Sequence, residues 1–237
     1  MGTDPFGRAV RDYFRDEQTE PLVQFDGPHR LEHPIEQFYA EPFSEDGDEA
    51  WIADRLSGPL LDVGAGAGRD TLYFQREFET VAIEVSDPLV SLMRERGVDD
   101  ARHGDMFALP EQFEPDRFES VLVRGTQFGL AKSRQGIEQF LTDLATITTE
   151  TATAVVDCYD PTDDRAENLL GYRPDATPGL AFRVFAFEYE GEVSETLLFR
   201  LVSPERLREA AAETAWTLSS LRPSSESAYY VAALEKE

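Results

Sequence analysis

Between residues 60 and 160 the chain alternates short apolar runs with helix-length segments, and this alternation constrains the fold more than any other feature. LLDV (60–63), TVAIEVS (80–86), a short run within ARHGDMFAL (101–109), FESVLVRG (118–125) and TATAVVDCYD (151–160) read as buried strands. Between them lie helical stretches at 68–78, 88–96 and 134–148; in the last, Ile137, Phe140, Leu141, Leu144 and Ile147 recur at helical spacing. Strands interleaved with helices form βαβ units, and those units build a parallel sheet. After Pro161 the pattern breaks. Residues 180–202 alternate at period two around Glu190-Gly191-Glu192, predicting an inserted β-hairpin. A helix with Ser203 as N-cap follows at 203–215, then strands at 216–222 and 228–237 whose short connector predicts antiparallel pairing. Residues 1–58 read differently: a helix at 5–15, a proline-punctuated loop-rich stretch, and a helix near 47–57.

The first strand runs into Gly64-Ala65-Gly66-Ala67-Gly68, followed by Arg69-Asp70 and a helix. A glycine-rich turn at the C-terminal edge of a parallel strand lets a ligand approach the backbone closely. The dinucleotide fingerprint G-x-G-x-x-G places its third glycine inside the helix. Here that position is Arg69 and the spacing is G-x-G-x-G. Glu84, twenty residues past Gly64, stands where a carboxylate accepts hydrogen bonds from ribose hydroxyls, a spacing that suits NAD and other adenosine cofactors alike. Asp105, in Gly104-Asp105-Met106, is placed to accept from an exocyclic adenine amine, with Met106 and Phe107 against the ring.

Composition narrows the function. The chain carries 47 acidic and 22 basic residues, net −25, and only Lys132 and Lys236 are lysines. The acids are spread along its length rather than blocked. Dispersed acid with scarce lysine resembles proteins of salt-rich cytoplasm, where a Debye length of about 3 Å screens self-repulsion. This balance disfavours nucleic acid as a partner. No apolar run reaches membrane-span length and the N-terminus lacks a signal-like stretch, so the expectation is a cytoplasmic protein with no membrane contact. One cysteine, Cys158, and three dispersed histidines give no metal-ligand spacing, so no metal is expected. Cys158 reads as a buried small residue, and His103 as facing the sheet surroundings.

With these residues in view, the sequence resembles the class I S-adenosylmethionine-dependent methyltransferases. LLDVGAGAG is similar to their first motif, VAIEVSDPLV to their second-strand segment, ARHGDMFALP to their adenine-side segment, and FESVLVRGTQFG to their fourth strand, with Glu119 in place of the usual aspartate. The start Asp4-Pro5-Phe6-Gly7-Arg8-Ala9 resembles a small subgroup of these proteins. The resemblance implies a Rossmann-like α/β fold: a seven-stranded sheet, last strand antiparallel, sandwiched by helices. An N-terminal helical or lid segment (1–58) would precede a methyltransferase domain (59–237) carrying the 180–202 insertion. It implies S-adenosyl-L-methionine as cofactor, its amino-acid arm over Gly64 and Gly66 and its ammonium in the field of Asp62. Ala65, Gly68, Arg69, Glu84, Val85, Asp105, Met106 and Arg124 complete the expected cofactor set. The expected activity is in-line methyl transfer to a small-molecule acceptor. The other readings are a non-catalytic cofactor-binding protein and an NAD-dependent oxidoreductase. Cofactor chemistry needs orientation more than a triad, so no catalytic residue is fixed; His33, Tyr39 and Tyr159 are the weak candidates. Thr126, Gln127, Asp160, His29 and Arg30 are further acceptor-side candidates. The expected oligomeric state is monomer or homodimer.

Overall fold

Asp4 caps the first helix, α1 (Pro5–Phe14), its carboxylate accepting from the Gly7 amide at 2.8 Å while Pro5 takes the first helical position. The computed structural model describes residues 4–236. A hairpin follows, β1 (Val23–Asp26) and β2 (His29–Glu32), turned by Gly27 at φ +56° with Pro28 beside it. The chain then makes a π-turn at Glu36–Ala40 and enters α2 (Gly47–Ala53).

The alternating region comprises β3 (Leu60–Val63), α3 (Arg69–Phe74), β4 (Thr80–Glu84), α4 (Asp87–Arg96), β5 (Ala101–His103), the short α5 (Leu109–Gln112), β6 (Phe118–Val123), α6 (Arg134–Ile147) and β7 (Thr148–Tyr159). Beyond it come β8 (Tyr172–Pro174), β9 (Leu180–Tyr189), β10 (Glu192–Val193), β11 (Leu197–Val202), α7 (Pro204–Ala212), β12 (Trp216–Pro223) and β13 (Tyr229–Lys236).

Seven strands form one sheet in the order β12-β13-β7-β6-β3-β4-β5. β3 to β7 are mutually parallel, and β13 runs antiparallel to both β7 and β12. The fold is the expected Rossmann-like one. β3 is buried at every residue, as a strand covered on both faces must be. The five residues read from helical periodicity in α6 are all buried in the main core with Val121, Val123 and Val156. β3 is flanked by β4 on one side and β6 on the other, so the chain order reverses there, which opens a crevice at the strands' C-terminal ends.

The second sheet corrects the reading of residues 16–46 as loop. β9 and β10 form the predicted hairpin, but β9 also pairs with β1 through Val23↔Glu188 and Phe25↔Ala186, and with β11 and β8 along its first half. Pro21 and Pro34 flank β1 and β2 and Pro28 sits in their turn, where the missing N–H costs no ladder bond. Phe185, Phe187 and Tyr189 line one face of β9 at period two. That face packs on Ala9 and Val10 of α1 and on Leu89 and Leu92 of α4, and so roofs the crevice.

The D-P-x-G-R-A start acquires a physical role here. Ser86, which N-caps α4, donates to the Asp4 carboxylate that caps α1, so the two helix starts are tied together beside Glu84. A Cβ on Gly7 would stand 2.1 Å from the Ser86 hydroxyl, so only glycine fits that crossing.

Candidate functional site

The turn after β3 uses all three glycines in the left-handed region: φ is +67° at Gly64, +58° at Gly66 and +74° at Gly68. L-residues with a side chain are disfavoured there. Gly68 also abuts α4; a Cβ would meet Val98 Cγ2 at 2.8 Å and Met93 Cγ at 3.0 Å. Gly64 and Gly66 face the crevice. The Gln127 side chain stands over Gly64 and the Tyr39 ring over Gly66, with the built Cβ positions 2.9 Å and 3.2 Å from them. The amides of Gly64 and Ala65 hold the turn by donating to the Ile83 carbonyl at 3.0 and 3.1 Å.

Glu84 ends β4 and turns its carboxylate back on this turn. Oε2 accepts from the Gly66 amide at 3.1 Å; Oε1 accepts from the amides of Val85 and Ser86 at 2.8 and 3.1 Å. Burial pushes its ionisation up from the ordinary value, against those three bonds. Oε1 thus has both lone pairs engaged, while Oε2 keeps one for a ligand hydroxyl. Val85, next in chain, is exposed, as is Phe107. Asp105 accepts from the Phe107 amide through Oδ1 at 2.9 Å. Met106, expected against a ring, instead buries its side chain in the main core with Leu109 and Phe113. A lone methionine beside Leu109 satisfies a core position better than a wet loop.

Beneath the turn, Asp62 is buried and accepts from the Thr71 hydroxyl at 2.6 Å. Burial, with the Asp70 carboxylate nearby, pushes Asp62 up to about 7. Two arginines offset the local acid. Arg69 Nη1 pairs with Glu49 at 2.6 Å and Asp70 at 2.8 Å, and its other nitrogens donate to the carbonyls of Glu41 and Pro42. Arg124 Nη1 pairs with Asp70 at 2.9 Å and Glu49 at 3.3 Å. This knot fastens α2 and the 41–42 loop to the start of α3. Sequence reasoning missed Glu49, and also Asp157 and Tyr229. Asp157 accepts from the amides of Gly125 and Thr126 and from the Tyr229 hydroxyl at 2.6 Å, holding Thr126 at φ +60°. The available signal was a carboxylate inside an apolar strand, VVDCY, the same pattern as LLDV.

The N-terminal candidates separate. His33 and Tyr39 belong to the roof; His29 is exposed, and Arg30 pairs with Glu188 at 2.8 Å. His33 is buried among the rings of Phe6, Phe38, Tyr39 and Phe187, with centroids between 5.4 and 6.1 Å away. Its polar contacts are Nδ1 to Gln24 Nε2 at 3.0 Å and Nε2 to the Tyr39 hydroxyl at 3.3 Å. Arg183 Nη2 donates to Gln24 Oε1 at 3.3 Å. Because arginine only donates, it turns the Gln24 amide nitrogen toward His33; Nδ1 must accept, and Nε2–H donates to Tyr39. Burial, with the Arg183 charge, pushes His33 down to about 4, which leaves it neutral at pH 7 and a weak base. Burial pushes the Tyr39 hydroxyl up, helped by the Glu84 carboxylate. At the end of β7, Tyr159 is half-buried against Tyr229, and Asp160 turns its carboxylate to Thr162. Cys158 is fully buried and its thiol is pushed up to about 12 by that burial, so it is no nucleophile. His103, expected near the sheet, is exposed and lies 3.8 Å from Asp87. It closes β5, the sheet's edge strand, where a side chain has no neighbour to bury it. No cluster of three or more metal-ligating side chains occurs among the described residues.

Residues 61–151 match the family model described as "Methyltransferase domain". No curated protein matches the sequence. Among solved structures, the chain is similar to an S-adenosylmethionine-dependent methyltransferase from Bacteroides fragilis, crystallised with S-adenosyl-L-homocysteine: TM-score 0.79, 22% identity, covering 98% of this chain and 94% of that one. It is also similar to the CcbJ methyltransferase from Streptomyces caelestis, with TM-score 0.60, 16% identity, and 79% and 93% coverage. An amino pentose methyltransferase from Micromonospora echinaspora matches with TM-score 0.55, 16% identity, and 79% and 89% coverage. The fold is therefore that of the S-adenosylmethionine-dependent methyltransferases, and the first of these likenesses includes the N-terminal segment and the second sheet.

Proposed function

We propose that this protein binds S-adenosyl-L-methionine on the Gly64–Gly68 turn and transfers its methyl group to a small-molecule acceptor under the second sheet. The observation that carries this is the charge around the turn. A dinucleotide would set its pyrophosphate at the start of α3. Around that start lie Asp62, Asp70 and Glu49, with Arg69 and Arg124 already paired to Asp70 and Glu49. A cofactor carrying an ammonium and a sulfonium suits this environment, and a diphosphate does not. In this reading Asp62 faces the ammonium, Gly64 and Gly66 admit the amino-acid arm, and Glu84 Oε2 takes a ribose hydroxyl. Val85 and Phe107 flank the base and Asp105 takes its amine. The cofactor supplies an activated methyl; the chain's part is to align the acceptor and exclude water.

The acceptor reading rests on the roof. Tyr39 stands over the turn and is backed by the rings of His33, Phe38 and Phe187, an aromatic cluster rather than the basic groove a nucleic acid needs. The known acceptor of the Micromonospora relative, an amino pentose by its name, is of this size class. No helix among the described residues is long and apolar enough to cross a membrane. The dispersed acid, net −25, supports a chain adapted to a salt-rich cytoplasm. The test is turnover: purified protein in molar KCl, methyl-labelled S-adenosylmethionine and a panel of small hydroxy, amino and thiol acceptors, with S-adenosylhomocysteine release as readout. Release with at least one acceptor class supports the proposal. Tight cofactor binding with no release across the panel points instead to a non-catalytic binding protein.

A further inference from the structure

Two arginines near the crevice have no acid beside them among the described residues: Arg96, whose Nη1 is engaged by the carbonyls of Ala67 and Tyr39, and Arg183. Arg69 and Arg124 are each paired to Glu49 and Asp70. Arg183, on the crevice face of β9 with Phe185 and Phe187, has no carboxylate within ion-pair distance among the described residues, in a chain carrying 47 acidic residues. Burial pushes its guanidinium down, and no carboxylate opposes that. A half-buried charge without a counter-ion is costly, so its retention beside the site calls for a use.

Its surroundings define that use. Nε donates to the Leu170 carbonyl at 3.0 Å and Nη2 to Gln24 Oε1 at 3.3 Å. Nη1 has no protein acceptor among the described residues, yet it is not a sealed, orphaned atom, so it stays reachable from solvent. The backbone that carries it is fixed on both sides, since residue 183 is in register with Tyr172 of β8 and Phe199 of β11. The guanidinium lies over the Phe185 ring, 4.7 Å from its centroid. Through Gln24 it is linked to His33 in the roof, and its field is also felt by Tyr159 at the end of β7.

We infer that Arg183 anchors the methyl acceptor through an anionic group, and that the acceptor class is a small carboxylate with an aromatic or apolar body. The free edge of a guanidinium matches a carboxylate's two oxygens. The exposed ring of Phe38, packed on His33, supplies the apolar contact. In a chain of net charge −25, an anion enters this crevice only where a dedicated cation meets it. This rests on the methyl-transfer reading for the word acceptor, but the anion site itself does not require it.

The test uses the whole protein at constant KCl, with and without saturating S-adenosylhomocysteine. Benzoate, phenylacetate and 4-hydroxybenzoate are titrated against their own amides by calorimetry, in wild type, Arg183→Gln and Arg183→Lys. The expected result is that wild type prefers each carboxylate to its amide, that Arg183→Gln binds the carboxylates about 10- to 100-fold more weakly while leaving the amides unchanged, and that Arg183→Lys keeps part of the preference. A merely structural arginine would weaken amide and carboxylate alike, which overturns the inference. So do a carboxylate preference that survives in Arg183→Gln and the absence of any preference in wild type. If Arg183→Gln fails to fold, Arg183→Lys must still narrow the preference. Failure of S-adenosylhomocysteine to bind wild type would refute the methyl-transfer reading separately, since the nucleoside-free titrations still report on Arg183.

Discussion

Replacing Glu84 by glutamine removes one acceptor from a group whose every lone pair has an assignment. Oε1 serves two amides, Val85 and Ser86, so the glutamine carbonyl takes that place. The amide nitrogen then occupies the Oε2 position, where it faces the Gly66 N–H, donor against donor. Two opposing effects act on the ligand-free protein: a charge-assisted hydrogen bond is lost, worth about 1.5–3 kcal/mol, and the desolvation that raises the Glu84 ionisation is relieved. The net loss of stability is therefore below about 2 kcal/mol, which is less than roughly 8 °C in melting temperature for a domain this size. The ligand has no such offset. A ribose hydroxyl that donates to Oε2 meets an N–H instead, and the same 1.5–3 kcal/mol becomes about a 10- to 150-fold rise in the S-adenosylhomocysteine dissociation constant. Titration calorimetry on wild type and Glu84→Gln, with thermal unfolding of both, separates the two effects. A dissociation constant within threefold of wild type would refute the lone-pair assignment.

Asp62 titrates in a way that ligand binding should reveal. Its folded ionisation is raised to about 7, so the stability it contributes is present below its unfolded value near 3.9 and is lost as pH rises through about 7. Asp62→Asn, which still accepts from Thr71, should flatten the fall in melting temperature between pH 4 and pH 7; an unchanged slope counts against the assignment. An ammonium placed beside Asp62 lowers its ionisation again, so S-adenosylmethionine binding near pH 6.5 should release protons in wild type and fewer in Asp62→Asn, measured as a dependence of binding heat on buffer ionisation enthalpy. Gly68→Ala should cost at least about 1–2 kcal/mol from the left-handed backbone alone, with more from the contact on Val98 and Met93; a melting temperature equal to wild type would show that the turn relaxes. With net charge −25, melting temperature should climb steeply from 0.1 M to molar KCl, and a flat salt response would remove the salt-adaptation reading.

The parallel sheet and the turn were legible because each rests on local, short-range chemistry. LLDV reads as a doubly covered strand, the three glycines as a turn that brings the backbone close to a ligand, and α6 as a periodic stripe. The second sheet was only half legible. The Glu190-Gly191 hairpin has a period-two signal of its own, whereas β1 is four residues long and earns its place by pairing with β9, more than 150 residues away. The site divides the same way. Glu84 follows from spacing, but Glu49 and Tyr229 reach the site only through tertiary packing, and nothing near them in sequence marks them out. Met106 was misplaced because a residue next to Asp105 looks like a loop residue, and only the packing of Leu109 and Phe113 shows that it turns inward. Arg183 sits in an alternating strand whose pattern says which face it is on, but not that no acid waits there.

The central claim is that an acid-lined glycine turn selects a cationic adenosine cofactor over a diphosphate. Titration calorimetry of the wild-type protein with S-adenosylmethionine, S-adenosylhomocysteine and NAD, each in molar KCl, measures this directly. The account predicts one-site binding of both sulfur nucleosides and no heat with NAD. Binding of NAD with equal or higher affinity would contradict it.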